Sequence, residues 1–184
     1  SMLQLMRLVL LSMVLLGLQA CSPVLTTRPI GTPVGDDLSE FTGDWVVDDV
    51  VLHVRATSAG RLSLARTVWN DGWRVSTFEG VVTRVGEMTL LHLLPEDESH
   101  WAFFLVQAGE DEMTLYAPNA RELASAAEEG DLPGEVAYNE EGELKRVLLD
   151  AHDAGVAGFF ERARPEALFK LDEPNLVRRI RKAD

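Results

Sequence analysis

Short runs of alternating apolar and polar residues, separated by turn sequences, fill residues 41–118 and constrain the fold more than any other feature. Val50, Leu52 and Val54 take alternate positions, and a Ser58-Ala59-Gly60 turn then leads into a second run. A period of two residues is typical of strands with one buried face. Further runs of the same kind lie at residues 61–65, 66–69, 73–79, 81–85, 87–94, 100–107 and 112–116. Seven or eight strands at this spacing predict an antiparallel meander that is closed or nearly closed into a barrel.

The tripeptide Asn70-Asp71-Gly72 is the strongest hairpin signal in this region. Asn and Gly tolerate the positive φ angles of a tight turn, so the tripeptide is expected to join the strand at 66–69 to the strand at 73–79.

After Pro118 the pattern changes to helical spacing. Asn119 and Glu122 resemble a capping box, which predicts a helix from there to about Gly130. Further segments are predicted as a hairpin of residues 134–138 and 143–149, a helix over 150–164 and a last helix over 173–182. The expected fold class is therefore mainly β (α+β), an antiparallel barrel-like meander with two or three C-terminal helices packed on it.

Composition agrees with one acidic globular domain. The chain has 184 residues, of which 46% are hydrophobic and 26% charged, with a formal net charge of −13. Because nucleic-acid binding depends on basic surfaces, no nucleic-acid partner is expected.

Gly43-Asp44-Trp45 opens the first strand of the meander. A Gly-x-Trp motif at this place, followed by an up-and-down meander, resembles lipocalins and related calycin β-barrels. The resemblance implies that Trp45 closes the base of a barrel whose cup binds a small apolar ligand. A role for Trp45 as an ordinary core residue is the alternative.

The N-terminus carries an uncharged run, residues 8–20, preceded by Arg7. As a helix the run would extend about 20 Å, which is short for a bilayer core of roughly 30 Å and typical of a signal peptide. A membrane helix or a buried core helix is the alternative.

Leu18-Gln19-Ala20-Cys21 follows directly and resembles the lipobox of bacterial lipoproteins. The resemblance implies cleavage before Cys21, acylation of its thiol and attachment to the cell envelope. The same resemblance implies that Ser22, in place of Asp after the cysteine, favours the outer membrane, with the protein facing the periplasm. A free thiol is the alternative, and because Cys21 is the only cysteine, no disulfide forms within the chain.

These patterns divide the chain into three parts. Residues 1–20 are the predicted lipoprotein signal peptide, residues 21–40 the acylated N-terminus with a flexible tether rich in Pro and Gly, and residues 41–184 a single barrel-like domain. A loop packed along the domain is the alternative for the tether.

A ligand pocket is the first candidate site. The proposed lining is Met88, Leu90, His92, Trp101 and Phe103. In the run at 100–107 both faces are apolar, so one face fills the barrel and the other meets a helix, a partner or a ligand. A hydrogen-bonded core histidine is the favoured interpretation of His92, and His53 and His100 are expected at the surface.

No motif points to catalysis, a cofactor or a metal. The four histidines lack metal-ligand spacing, and no nucleophile elbow or phosphate-binding loop is present in the sequence. Acidic clusters fall at predicted turns and are interpreted as solvated surface. We therefore expect no enzyme, no catalytic residues, no cofactor and no metal.

The basic C-terminus is a second candidate site. Arg178, Arg179, Arg181 and Lys182 lie in the last turns of the predicted final helix. Cations there complement the helix dipole, and contact with anionic lipid or glycolipid phosphates is the functional alternative.

Two functions are carried forward. The first is a non-catalytic interaction module, lipid-anchored in the bacterial envelope, that docks onto another envelope protein. The second is a lipocalin-like carrier or sensor of a small apolar ligand. An enclosed pocket favours the carrier, and a barrel interior packed solid favours the docking module.

Overall fold

The computed structural model describes residues 24–69 and 71–180. The strands are β1 (Val24–Thr26), β2 (Thr32–Pro33), β3 (Gly43–Val47), β4 (Val50–Ser58), β5 (Arg61–Trp69), β6 (Trp73–Val85), β7 (Met88–Pro95), β8 (Ala102–Ala108), β9 (Glu112–Tyr116), β10 (Gly134–Tyr138), β11 (Leu144–Leu149) and β12 (Asn175–Arg179). The helices are α1 (Ala120–Glu128), α2 (Ala154–Arg162) and α3 (Pro165–Leu168).

Eight of these strands form a closed antiparallel barrel, which confirms the predicted fold class for the part of the chain that the structure describes. Strands β3 to β9 pair in chain order as a meander. The last strand, β12, then pairs with β9 on one side and with β3 on the other, and so closes the barrel. β2 adds a short pairing to β6 outside this ring.

Antiparallel pairing places alternate connections at the same end of the barrel. The β3–β4, β5–β6 and β7–β8 connections lie at one end, which we call the mouth. The β4–β5, β6–β7 and β8–β9 connections lie at the other end, which we call the base.

A second layer packs outside β7 and β8. It consists of the three helices and a small sheet in which β11 pairs in parallel with β1 and antiparallel with β10. Phe103 from β8, Phe160 from α2 and Phe169 after α3 meet there, with ring centroids 5.8 to 6.3 Å apart. We call this layer the outer core. The elements after Pro118 thus cover the second apolar face of β8, as the sequence indicated.

The predicted tether is packed along the domain from Val24 onward, so the alternative interpretation is the correct one for residues 24–40. Val24 pairs with Val147, Ile30 is 1% exposed, and Leu38 is 2% exposed. The segment lacks periodicity because it is held by one isolated bridge, Thr26 with Trp101, and by two short pairings, β1 with β11 of the small sheet and β2 with β6 of the barrel. Such contacts need no repeating pattern.

The predicted final helix is also wrong, because residues 175–179 form strand β12. Val177 points into the barrel and its neighbours Leu176 and Arg178 point outward, which is the alternation of a strand. Without β12, the edges of β3 and β9 would lack hydrogen-bonding partners. The backbone hydrogen bonds that β12 makes to both strands outweigh the weak helical tendency of its sequence.

Two helix predictions change in detail. The helix predicted over 150–164 begins at Ala154, where the Asp153 carboxylate caps it by accepting from the Gly155 N–H at 2.8 Å. Helix α1 begins after Asn119 as expected, but the Asn119 side chain makes no capping hydrogen bond. The backbone N–H of Asn119 instead donates to the Leu168 carbonyl at 2.7 Å.

Candidate functional site

The barrel encloses an apolar cavity of about 360 Å³. Because strand side chains alternate, β3, β4, β5, β7 and β9 each contribute alternate residues to it. β8 contributes none, and residues 174–177, where β12 begins, border it in succession. Its lining consists of Phe41, Trp45, Val47, Asp48, Leu52, Val54, Leu62, Leu64, Arg66, Phe78, Leu91, Leu93, Met113, Leu115, Pro174, Asn175, Leu176 and Val177. A cavity of this size accommodates a small organic molecule.

Trp45 forms the floor of the cavity at the base of the barrel. Its side chain is fully buried, and the indole N–H donates to the Phe41 carbonyl at 2.9 Å. The guanidinium of Arg179, from β12, lies over the Trp45 ring with 4.2 Å between Cζ and the ring centroid. A cation over an aromatic face is attracted by the negative face of the ring, so this pair seals the base.

Arg179 also joins the loops of the base. Its Nε donates to the Glu110 carbonyl at 2.5 Å and its Nη1 to the Thr42 carbonyl at 2.5 Å. Its Nη2 donates to the Glu40 carbonyl at 3.1 Å. Arg179 therefore has a structural role at the base.

Gly43 has a specific reason to be glycine. Its φ is +122°, and a Cβ at this position would lie 2.8 Å from Nη1 of Arg179. The glycine of the Gly-x-Trp motif therefore makes room for the arginine that covers the tryptophan.

The mouth of the cavity carries polar groups. Arg66 lines the cavity, with its Cζ 5.7 Å from the Phe78 ring centroid and its Nη2 3.4 Å from the Ser76 hydroxyl. Burial lowers the pKa of Arg66 from its usual value, although an arginine keeps its charge in a protein. Asp48 and Asn175 line the same cavity. The cavity thus has an apolar body with charged and polar groups in its wall.

The predicted pocket residues lie elsewhere. Met88, Leu90 and Phe103 belong to the outer core, beneath the helices. Trp101 is 9% exposed and precedes β8, where its backbone pairs with Thr26. Both faces of β7 and β8 are apolar, so periodicity alone does not show which face lines the barrel. The predicted pocket residues lie on the outer face. The inner face carries Leu91 and Leu93 instead.

His92 is a hydrogen-bonded histidine of the core, as favoured from the sequence. Its side chain is fully buried, Nε2 accepts from the Ile30 N–H at 3.0 Å, and Nδ1 lies 3.3 Å from the Val81 carbonyl. Burial lowers the pKa of His92 to about 4. The ring is therefore neutral at neutral pH, with the proton on Nδ1 donated to Val81 and the lone pair of Nε2 accepting from Ile30.

The predicted basic patch is divided by the strand geometry. Arg179 is engaged at the base of the barrel, whereas Arg178 points outward with its Nε 3.7 Å from the Glu112 carboxylate. Arg181 and Lys182 lie outside the described residues, and so does Cys21. Arg178 and Arg179, the two cations that the structure describes, therefore do not form a common surface for anionic lipid.

Among residues 24–69 and 71–180, no three His, Cys, Asp or Glu side chains group in a way that could hold a metal ion. In the same part of the chain, no helix has the length and apolar character needed to cross a bilayer. The largest exposed aromatic side chains are Trp69 and Trp73, at the β5–β6 hairpin.

Comparison of the chain with protein-family models, with curated proteins and with solved structures finds no match.

Proposed function

We propose that this chain is a lipid-anchored protein of the bacterial envelope whose barrel carries or senses a small apolar ligand. The observation that carries the proposal is the cavity of about 360 Å³ inside the barrel, lined mainly by apolar side chains and closed at one end by Trp45. A barrel that served only as a rigid docking platform would gain stability by filling this space, because a cavity forfeits packing contacts.

The cavity separates the two functions considered from the sequence. If the chain is an interaction module, the barrel interior is expected to be filled with side chains. If it is a carrier, the barrel is expected to enclose a pocket. The Gly43-x-Trp45 resemblance to lipocalins also supports the carrier, since it implies a cup above the tryptophan. Docking onto an envelope protein stays a prediction with no residues assigned to it.

Arg66 refines the class of ligand. A cationic side chain in an otherwise apolar wall favours a molecule with an apolar body and one anionic or strongly polar group. Asp48 in the same lining gives the wall a second charge, which can accept a hydrogen bond from a hydroxyl or an amine.

The lipid anchor rests on Cys21 and its lipobox-like context. Only Ser22 and Pro23 separate Cys21 from Val24, which is already packed in the domain. Three chain steps extend at most about 11 Å. An acylated Cys21 would therefore hold the domain directly at the bilayer surface, and a long stalk is not part of the proposal.

The cavity is tested by filling it. Leu52 points into the cavity, and its neighbour Val51 does not line it. We expect the wild-type full chain to bind the neutral apolar dye N-phenyl-1-naphthylamine saturably at one site. Leu52→Trp should weaken this binding at least tenfold and Val51→Trp less than twofold. Equal binding by the two variants would place the dye outside the barrel and refute the carrier proposal.

The anchor is tested separately in a bacterial host. Cys21→Ser should abolish both acyl modification and cleavage before residue 21, which mass spectrometry of the intact protein detects. Ser22→Ala is the matched control and should be processed normally. Acylated mass in the Cys21→Ser protein would exclude the thiol as the attachment point.

A further inference from the structure

Two arginines share the inner face of the β5–β6 hairpin at the mouth of the barrel. Arg66 lines the cavity on β5, and Phe78 lines it on β6. Because side chains alternate along a strand, Ser76 and Arg74 follow Phe78 on the same face, at successive positions towards the mouth. Arg66 pairs with Ser76, and Arg74 lies diagonally across from Arg66. Side chains in this relationship have Cβ atoms about 7 Å apart, which long side chains can span. Two cations and one hydroxyl therefore lie side by side at the entrance of an apolar cavity.

These donors can be reached from the solvent, because β6 extends past the end of β7. β7 pairs with β6 only as far as Pro95, opposite Phe78, and the Glu96 N–H donates to the Thr77 carbonyl at 3.3 Å just beyond. Arg74 lies further towards the mouth than Thr77, and the residue is exposed. A headgroup at the mouth can thus contact Arg74 while an attached apolar chain occupies the cavity.

The two cations are costly to hold side by side. Like charges at neighbouring cross-strand positions repel one another and destabilise a sheet. Burial also lowers the pKa of Arg66, since its charge is partly withdrawn from water. An anion between the two guanidinium groups would offset both costs, and a doubly charged anion would do so best.

Two acids near the hairpin are placed apart from this inner face. The Glu96 carboxylate accepts from the Thr77 hydroxyl, and alternation places Thr77 on the outer face of β6. Asp71 lies in the turn, beyond the last cross-strand pair of the hairpin. Neither carboxylate therefore occupies the space between Arg66 and Arg74.

The acid that lines the cavity, Asp48, belongs to another part of the wall. It follows Val47, and the register runs from Val47 to Val50, from Val50 to Val68 and from Val68 to Arg74. Three strand spacings along the wall correspond to about 14 Å. An anionic group held at Arg74 therefore lies away from the Asp48 carboxylate.

We infer that Arg66 and Arg74, together with the Ser76 hydroxyl, bind the phosphate monoester of an amphiphile whose single apolar chain fills the barrel cavity. The planar donor fork of an arginine matches phosphate oxygens. A phosphate monoester carries a charge of about −1.5 to −2 at pH 7 and three acceptor oxygens, enough to engage both arginines. A carboxylate on the same chain would engage Arg66 and leave Arg74 in the solvent. This inference rests on the proposed function, because it names the headgroup of the ligand that the cavity carries.

The test is displacement of N-phenyl-1-naphthylamine from the full chain by three ligands with the same twelve-carbon chain. They are dodecyl phosphate, its methyl diester, which keeps the phosphate but only one charge, and dodecanoate. We expect the wild type to bind dodecyl phosphate at least fivefold more tightly than either singly charged ligand. Arg74→Gln should bind dodecyl phosphate at least fivefold more weakly, whereas its affinities for dodecanoate and for the dye should change less than twofold.

The matched control is Arg55→Gln, which should keep the preference of the wild type. Arg55 is exposed, and it follows the cavity residue Val54 on β4, so that its side chain lies on the outer face. Equal affinities of the wild type for dodecyl phosphate and dodecanoate would overturn the inference, and so would a full preference in Arg74→Gln. In both cases the dye still binds and the carrier proposal stands. A wild type that does not bind the dye saturably would refute the carrier proposal and the inference with it.

Inorganic phosphate separates a phosphate on an apolar chain from the free ion. Millimolar inorganic phosphate should leave the dye bound and should change the affinity for dodecyl phosphate less than twofold, because the chain supplies much of the binding free energy. If the free ion instead abolishes the preference for dodecyl phosphate, the two arginines form a site for inorganic phosphate, and the inference of an amphiphile is overturned.

Discussion

The guanidinium of Arg179 lies 4.2 Å above the indole of Trp45, although 134 positions separate the two residues in the chain. The contact joins the last strand of the barrel to the first. It also holds the loops of the base through the carbonyls of Thr42, Glu40 and Glu110. Neighbouring arginines on β12 therefore have very different surroundings, which allows a direct comparison.

Arg179→Met should destabilise the domain by about 2–4 kcal/mol, because it removes the cation from the ring and leaves several carbonyls without their charged donor. Arg178→Met should lower the free energy of unfolding by less than about 0.5 kcal/mol. The Arg178 side chain is exposed, and its Nε lies as far as 3.7 Å from the Glu112 carboxylate, so the ion pair is weak. Urea unfolding of both variants measures the difference. Equal losses would show that Arg179 has no special role at the base.

Gly43→Ala should lower the free energy of unfolding by about 1–3 kcal/mol, because an alanine there meets both a positive φ and the Arg179 guanidinium. Gly35→Ala is the matched control, since a Cβ at residue 35 has no atom within 4 Å. Thermal unfolding followed by circular dichroism compares the two. A fully stable Gly43→Ala variant would contradict the assigned need for glycine.

His92 should make the domain sensitive to acid. Its pKa is lowered to about 4 in the fold, against about 6.5 in an unfolded chain. Between these values the unfolded chain binds the additional proton, so stability rises with pH in this window and is lost as pH falls through it. The expected loss from pH 7 to pH 4 is about 3 kcal/mol.

This prediction is checked by urea unfolding as a function of pH for the wild type, His92→Gln and His152→Gln. The His92→Gln variant should be less stable at pH 7 but should lose less stability on acidification. His152 is exposed in the turn before α2, and its replacement should leave the slope of the wild type unchanged. A wild-type slope in His92→Gln would assign the acid sensitivity to other groups.

Arg66→Gln should separate ligands by charge. Dodecanoate is expected to displace the neutral dye from the wild-type cavity, and the variant should bind dodecanoate about tenfold more weakly because the carboxylate loses its cationic partner. Dodecanol, which has the same chain without the charge, should bind both proteins equally. Arg61→Gln is the control on the same strand, where Arg61 forms an ion pair with Glu79 on the outer face. If dodecanoate and dodecanol weaken equally in Arg66→Gln, the charge of Arg66 does not select the ligand.

Much of the barrel follows from local patterns. The alternation in β4 to β7 and the Asn70-Asp71-Gly72 turn predict both the strands and the β5–β6 pairing, because a strand that is half buried must repeat every second residue. The hairpin of β10 and β11 was found for the same reason, from the turn at residues 139–142.

The remaining features depend on contacts that are distant in the sequence. β12 was predicted as a helix because its five residues carry too little pattern to oppose a helical spacing, and only the open edges of β3 and β9 decide its form. Both faces of β7 are apolar, so the sequence does not show which of them points into the barrel. A slip of one residue exchanges the inner and outer faces, and so Leu90 was predicted where Leu91 lies.

The cavity shows the same limit. Each lining residue, such as Leu52 or Arg66, looks ordinary in its own strand, and no local signal marks it as part of a site. Alternation from Trp45 through the register of β3 with β4 and of β4 with β5 would have identified both residues, since Trp45 pairs with Leu52 and Leu52 with Arg66. The missing information was the register, which the turns restrict but do not determine alone.

Strand β12 closes the ring against a partner more than 130 positions earlier in the chain, after three helices and the β10–β11 hairpin have intervened. A nascent polypeptide in which β12 has not yet been synthesised therefore has an open sheet with two unsatisfied edges, however much of the meander has formed. Ring closure must wait until residues 175–179 have been synthesised, and the long loop it closes makes this step slow compared with the hairpins. A chain truncated before Asn175 should consequently be prone to aggregate through those edges.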